Sequence, residues 1–148
     1  MRKFVYKYGY RLTKLYWFFS RPTTQGVRSI ILSDKEVLLV THSYGSDLWT
    51  TVGGGVKKGE TLESALRREV KEEVGLELDT VKKVGEIFNE AEYKKDTIHV
   101  YVSTVTNKQI RIDGSELVAA EWFLVDALPK TISPLCKRYL SMTKTLER

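Results

Sequence analysis

The sequence lacks what small stapled or zinc-bound proteins need. Cys136 is the only cysteine among 148 residues, so no internal disulfide can form, and two histidines make no Cys/His cluster of zinc-ligand spacing. A lone thiol suits a reducing compartment, and the expected location is cytoplasmic. Long apolar runs are missing too. Nothing approaches the roughly 18 uninterrupted apolar residues of a membrane span, and the YWFF run near the start is too short for a secretory signal. What is left is an ordinary composition, 42% apolar and 29% charged, in a chain long enough for one domain and too short for two.

Acid is absent from one part of the chain. Residues 1–33 hold seven bases and no Asp or Glu, whereas the rest holds 17 bases against 19 acids, so the net charge of +5 comes from the start. An N-terminal arm, residues 1–24, holds eight of the sixteen aromatics. Phe4, Tyr8, Leu12, Leu15 and Phe19 recur at helical steps beside a basic strip of Lys3, Lys7, Arg11 and Lys14, with Gly9 weakening the helix. Such a stripe can pack on its own domain or on a second subunit. The basic strip also suits an anionic membrane or an RNA backbone.

Beyond the arm, residues 25–148 read as one mixed unit. VRSIILS and VLLVT, joined by Asp-Lys-Glu, predict a hairpin, and DLWTTV a third strand stopped by Gly53-Gly54-Gly55. Thr61 to Val74 predicts a helix: Leu62, Leu66, Val70 and Val74 step by four, Thr61 can cap it and Gly75 end it. VKKVGEIF, TIHVYVSTV and AAEWFLV predict strands, and ISPLCKRYLSMTKTLE a last amphipathic helix. Strands interleaved with helices give an α/β fold with a central mixed sheet.

The helix after the glycines carries more acid than a solvated face explains. Glu63 with Arg67 and Arg68 with Glu72 are four apart and can pair. Glu69, Glu72 and Glu73 instead crowd one strip, where like charges repel. A hard divalent cation such as Mg²⁺ satisfies that strip, because it takes oxygen ligands and leaves room for phosphates. The glycines allow close backbone approach to such an ion or phosphate.

The spacing Gly54, five residues, Glu60, seven residues, Arg68-Glu69-Val70-x-Glu72-Glu73-x-Gly75-Leu76 resembles the complete Nudix box, with all nine specified positions matched. The resemblance implies an α/β/α sandwich and a hydrolase that uses Mg²⁺, or Mn²⁺ in its place. It implies Glu69, Glu72, Glu73 and the Gly53 carbonyl as metal ligands, Gly54 and Gly55 at the substrate, and Arg68 paired with Glu60. Val52 stands where family members usually have proline. Water would attack phosphorus in a nucleoside diphosphate linked to another group, with Glu73, Glu72 or Glu116 as base and Arg68 among the catalytic residues. Tyr93 falls where diadenosine polyphosphate hydrolases of the family place a stacking tyrosine. Relatives that use an N-terminal segment to dimerise imply a homodimer through the arm and, as first choice, a nucleotide sugar or ADP-ribose as substrate. Nucleoside triphosphates, diadenosine polyphosphates and RNA 5′ ends are alternatives. From a different class comes a module binding RNA or membrane through the arm. His99 reads as a sheet histidine, Cys136 as packing, and His42 and Tyr44 as loop residues that could line a nucleotide pocket.

Overall fold

The structure, a computed structural model, describes residues 23–44, 46–91, 94–112 and 114–143. Nearly all of the aromatic arm, and Tyr93, therefore lie outside the described residues. β1 (Thr23–Ser33) and β2 (Glu36–His42) form the expected hairpin, pairing Leu32 with Val37 and Ser33 with Glu36. Asp34 turns it at φ 53°, a conformation that a short polar side chain tolerates. β3 (Thr80–Ala91) and β4 (Lys94–Thr104) run antiparallel, and β5 (Leu117–Leu124) pairs antiparallel with β2. β4 lies parallel to β1 from Thr23↔Lys95 to Leu32↔Thr104, which makes the five-stranded sheet mixed, in the order β3-β4-β1-β2-β5.

DLWTTV does not become a regular strand. Beyond their two hairpin pairs β1 and β2 separate, and residues 49–55 thread the opening, bonding to each in turn. Thr50 bridges to Val40 on β2, while Val52 bridges to Ser29 and Gly55 to Gly26 on β1. The Val27 N–H donates to the Gly54 carbonyl at 2.9 Å and the Val56 N–H to the Gln25 carbonyl at 2.9 Å. The three-glycine segment is thus laid against the edge of β1.

Period-two alternation gives the sheet two apolar faces. Val27, Ile31, Leu38, Val40 and Tyr101 meet α1 (Leu62–Val74), whose Leu66, Val70 and Val74 are fully buried. Ile30, Val37, Leu39, Ile98 and Val100 meet α2 (Pro134–Ser141), which contributes Cys136 and Tyr139. Each fully buried aliphatic side chain contributes about 1.5–3 kcal/mol, and together they clamp one helix to each face in an α/β/α sandwich. α1 begins where Thr61 Oγ1 accepts the Ser64 N–H at 3.1 Å and ends where Gly75 adopts φ 72°. α2 starts at the Ser133 cap with Pro134 in its first turn, and the last residues of the amphipathic pattern, 144–147, lie outside the described residues. Among the described residues no helix is long and apolar enough to cross a membrane.

Candidate active site

Gly53 is fixed from three sides. A Cβ built on it would stand 2.1 Å from the Val27 carbonyl oxygen, so only glycine lets the loop lie this close to β1. Its N–H donates to Glu73 Oε2 at 3.1 Å, and its carbonyl accepts from Arg28 Nη1 at 3.2 Å. The same Nη1 donates to the Thr51 carbonyl at 3.1 Å. At Gly54 a Cβ would fall 2.5 Å from the Glu69 carboxyl, whereas at Gly55 it would meet nothing within 4 Å. Gly54 therefore leaves room for a carboxylate, and Gly55 opens outward.

Helical spacing places Glu69, Glu72 and Glu73 side by side on α1, and the loop leading into β5 faces them. Together with Ser115, Glu116 and Leu117 they line a cavity of about 140 Å³. Glu116, 42 residues beyond the end of the helix at Val74, thus joins the box glutamates at one place. Among the described residues no three acidic, histidine or cysteine side chains already stand as a closed metal-binding set. Two of the carboxylates are instead turned to Arg68, at 2.7 Å from Glu69 and 3.1 Å from Glu72. The donors fit a hard divalent cation in kind, since they are carboxylate and main-chain oxygens without thiol. The Gly54 cradle supports that fit, because a side chain there would displace the Glu69 carboxyl.

Glu73 is 8% exposed, and its carboxyl is pushed up to about 7. Burial is the main cause; the Gly53 N–H and Arg28 oppose it, and Glu69 and Glu116 add to it. Glu60 is held down at about 2, first by its bond to Arg68 and then by the Lys57 N–H. Arg68 accordingly titrates well above the ordinary arginine value, with Glu60 as the largest cause.

Arg68, expected among the catalytic residues, is engaged as a brace. Nε and Nη2 hold the Glu60 carboxylate at 2.6 and 2.9 Å, Nη2 holds the Gly55 carbonyl at 3.0 Å, and Nη1 holds Glu69 and Glu72. Five contacts meet five N–H donors. Arg68→Ala removes the partner of Glu60 and releases the glycine loop, so a lower unfolding midpoint is expected. Urea unfolding measures it; an unchanged midpoint would show that the brace does not matter.

Ser43 clips the β2 end to the Glu116 loop, its N–H donating to the Glu116 carbonyl at 2.8 Å and its hydroxyl to the Ser115 carbonyl at 3.1 Å. His42 and Tyr44 flank it with ring centroids 5.2 Å apart. The Tyr44 phenol is raised by burial first and then by Glu116, Glu73 and Glu69, while His42 is lowered by burial and by Arg28. The Tyr44 phenol therefore lies in the field of the cavity carboxylates, with the His42 ring beside it. His99 is a buried residue of β4, with Nδ1 3.3 Å from Glu86 Oε2 on β3. Cys136 is buried under α2, and burial pushes its thiol up to about 11. Sequence reasoning missed Arg28. The available signal was one charged residue inside VRSIILS, a run otherwise fit for a buried strand.

A model of the NUDIX domain matches residues 22–143. A Bacillus subtilis (strain 168) protein provisionally named an 8-oxo-dGTP diphosphatase is 30% identical over 118 residues, 80% of this chain and 78% of that protein. The oxidized purine nucleoside triphosphate hydrolase of Mus musculus is 32% identical over 102 residues, 68% of this chain and 65% of the mouse enzyme. Among solved structures, a MutT NUDIX hydrolase from Burkholderia pseudomallei superposes with a TM-score of 0.74 at 23% identity, over 81% of this chain and 97% of that one.

Proposed function

Since this chain belongs to the NUDIX family, we propose that it hydrolyses the diphosphate linkage of a nucleoside diphosphate derivative, with a purine nucleoside triphosphate as its first substrate. The observation that carries this is the single cavity shared by Glu69, Glu72, Glu73 and Glu116 beside the pinned Gly53 loop. The order of substrates follows the relatives. Two of them are named for oxidised purine triphosphates, which moves the triphosphate ahead of the nucleotide sugar or ADP-ribose expected from the sequence.

Glu69, Glu72, Glu73 and the Gly53 carbonyl would hold the metal. When bound, Mg²⁺ supplies positive charge for the phosphate oxygens and lowers the pKa of nearby water. The remaining work falls to the chain. Glu116 has no cationic partner among the described residues and faces α1 across the cavity, so it is placed to accept the proton of the attacking water. The water oxygen bonds to phosphorus as the bond to the bridging oxygen breaks. A triphosphate attacked at the α position yields nucleoside monophosphate and inorganic pyrophosphate. Arg68 and Glu60 keep the loop and helix in register.

The test is product release from purine and oxidised purine triphosphates, nucleotide sugars, ADP-ribose and diadenosine polyphosphates, with Mg²⁺, with Mn²⁺ and in EDTA. Metal-dependent turnover of triphosphates, lost in EDTA, is expected. Faster turnover of a nucleotide sugar or ADP-ribose would reverse the order, and no turnover of any compound would remove the reading.

A further inference from the structure

Two guanidinium groups hold the glycine loop, and they differ in what they can still bind. All five donors of Arg68 are committed to Glu60, Glu69, Glu72 and the Gly55 carbonyl. Arg28 reaches in from β1, on the other side of the Gly53 loop. Its Nη1 donates to the Thr51 and Gly53 carbonyls, and beyond these two the guanidinium meets only the Tyr139 hydroxyl as a side-chain hydrogen-bond partner among the described residues. Two main-chain carbonyls hold this fork still, so little order remains to be imposed on it by a ligand.

The surroundings of Arg28 are short of partners. Thr51 Oγ1, 0% exposed, has no hydrogen-bond partner, nor does His42 Nδ1. Buried polar atoms are rarely left so, because each costs about 1–3 kcal/mol unless a ligand or water completes it. His42 and Glu73 feel the Arg28 charge, and Tyr139 feels that charge together with a side-chain hydrogen bond to Arg28. The fork therefore stands between the carboxylates and a partly unsatisfied polar corner. An anionic substrate entering a cavity lined by four glutamates meets repulsion, and Arg68 has no donor left to offset it.

We propose that Arg28 is a substrate-binding residue that grips the phosphate remaining with the nucleoside, offering Nε and Nη2 to two of its oxygens. Planar guanidinium and phosphate match in this bidentate way. The proposal rests on the diphosphate-hydrolase reading and adds the residue that receives the nucleotide.

Calorimetric titration in EDTA with GMP and guanosine, and with AMP and adenosine, separates the phosphate from the base without relying on turnover. The wild type should bind each monophosphate more tightly than its nucleoside. Arg28→Met should weaken the monophosphates about ten- to a hundredfold and leave the nucleosides unchanged, with Arg28→Lys in between. Equal loss for nucleosides would show that Arg28 reads the base, and overturns the proposal. So does a lowered Tm with monophosphate affinity intact, which marks a loop brace only, or a wild type that does not prefer the monophosphate. If the wild type turns over the substrate panel while Arg28→Met keeps its monophosphate affinity, this inference alone falls; if the wild type turns over nothing, the hydrolase reading falls and takes it along.

Discussion

Glu73→Gln lowers turnover by about three orders of magnitude and, in EDTA above pH 7, leaves the protein more stable than its parent. The two effects have one origin. The carboxyl is buried behind Gly53 and titrates at about 7 instead of 4.5, so the native state holds this proton more tightly than the unfolded chain does. Stability from this group is complete below 4.5 and is lost as pH rises through about 7. Glutamine keeps an oxygen for the Gly53 N–H and carries no charge, so at pH 8 without metal the variant should gain about 1–3 kcal/mol. Catalysis moves the other way, because the proposed metal site loses one of its carboxylates where phosphate charge must be neutralised. Urea unfolding at pH 5 and pH 8 in EDTA, beside turnover in Mg²⁺, reads both. A variant less stable at pH 8, or one active within tenfold of the parent, would contradict this account of Glu73.

Gly53→Ala should be among the most damaging single-atom-group changes in the protein. The added methyl would lie 2.1 Å from the Val27 carbonyl oxygen and 2.9 Å from the Arg28 Cα, both main-chain atoms of a central strand that cannot swing aside. The backbone at φ 149° adds strain for any residue with a side chain. A loss of about 3 kcal/mol or more is expected, together with turnover, since the loop would lift from β1 and carry the Glu73 and Arg28 contacts with it. Gly55→Ala is the matched comparison. Nothing lies within 4 Å of its Cβ, so its unfolding midpoint should shift by less than about 0.5 kcal/mol. Equal midpoints for the two alanine variants would mean that the approach to β1 is not what requires glycine at 53.

The parts of the fold governed by local chemistry were readable in the residues. Thr61, Gly75 and the four-step apolar ladder bracket α1 because caps and periodicity act within a turn or two. The hairpin at Asp34 and the alternating β4 are local in the same way. DLWTTV was misread because its apolar and β-branched content suits a strand, while its actual place depends on β1 and β2 separating, an event no local window records. Val52, which replaces the usual proline, is fully buried and bridges to Ser29, so its setting comes from a tertiary contact. The box glutamates were legible through spacing, and their charge asked for a cation. Glu116 was reachable only through the family resemblance, because nothing in its neighbours shows that its loop folds over α1. Arg28 was invisible for the same reason, since its importance lies in carbonyls of a loop more than twenty residues away.

The parallel pairing of β1 with β4 has a kinetic consequence. Thr24 and Asp96 meet across 72 residues of chain, a closure that cannot occur until the hairpin, helix and β3 between them have been arranged. Contacts of such sequence separation form late and slow the search for the native state. The glycine loop hangs on the free edge of that same β1, through the Val27 and Ser29 amides. Its shape is therefore among the last things to appear on folding, and those two amides should exchange with deuterium only when the whole sheet opens.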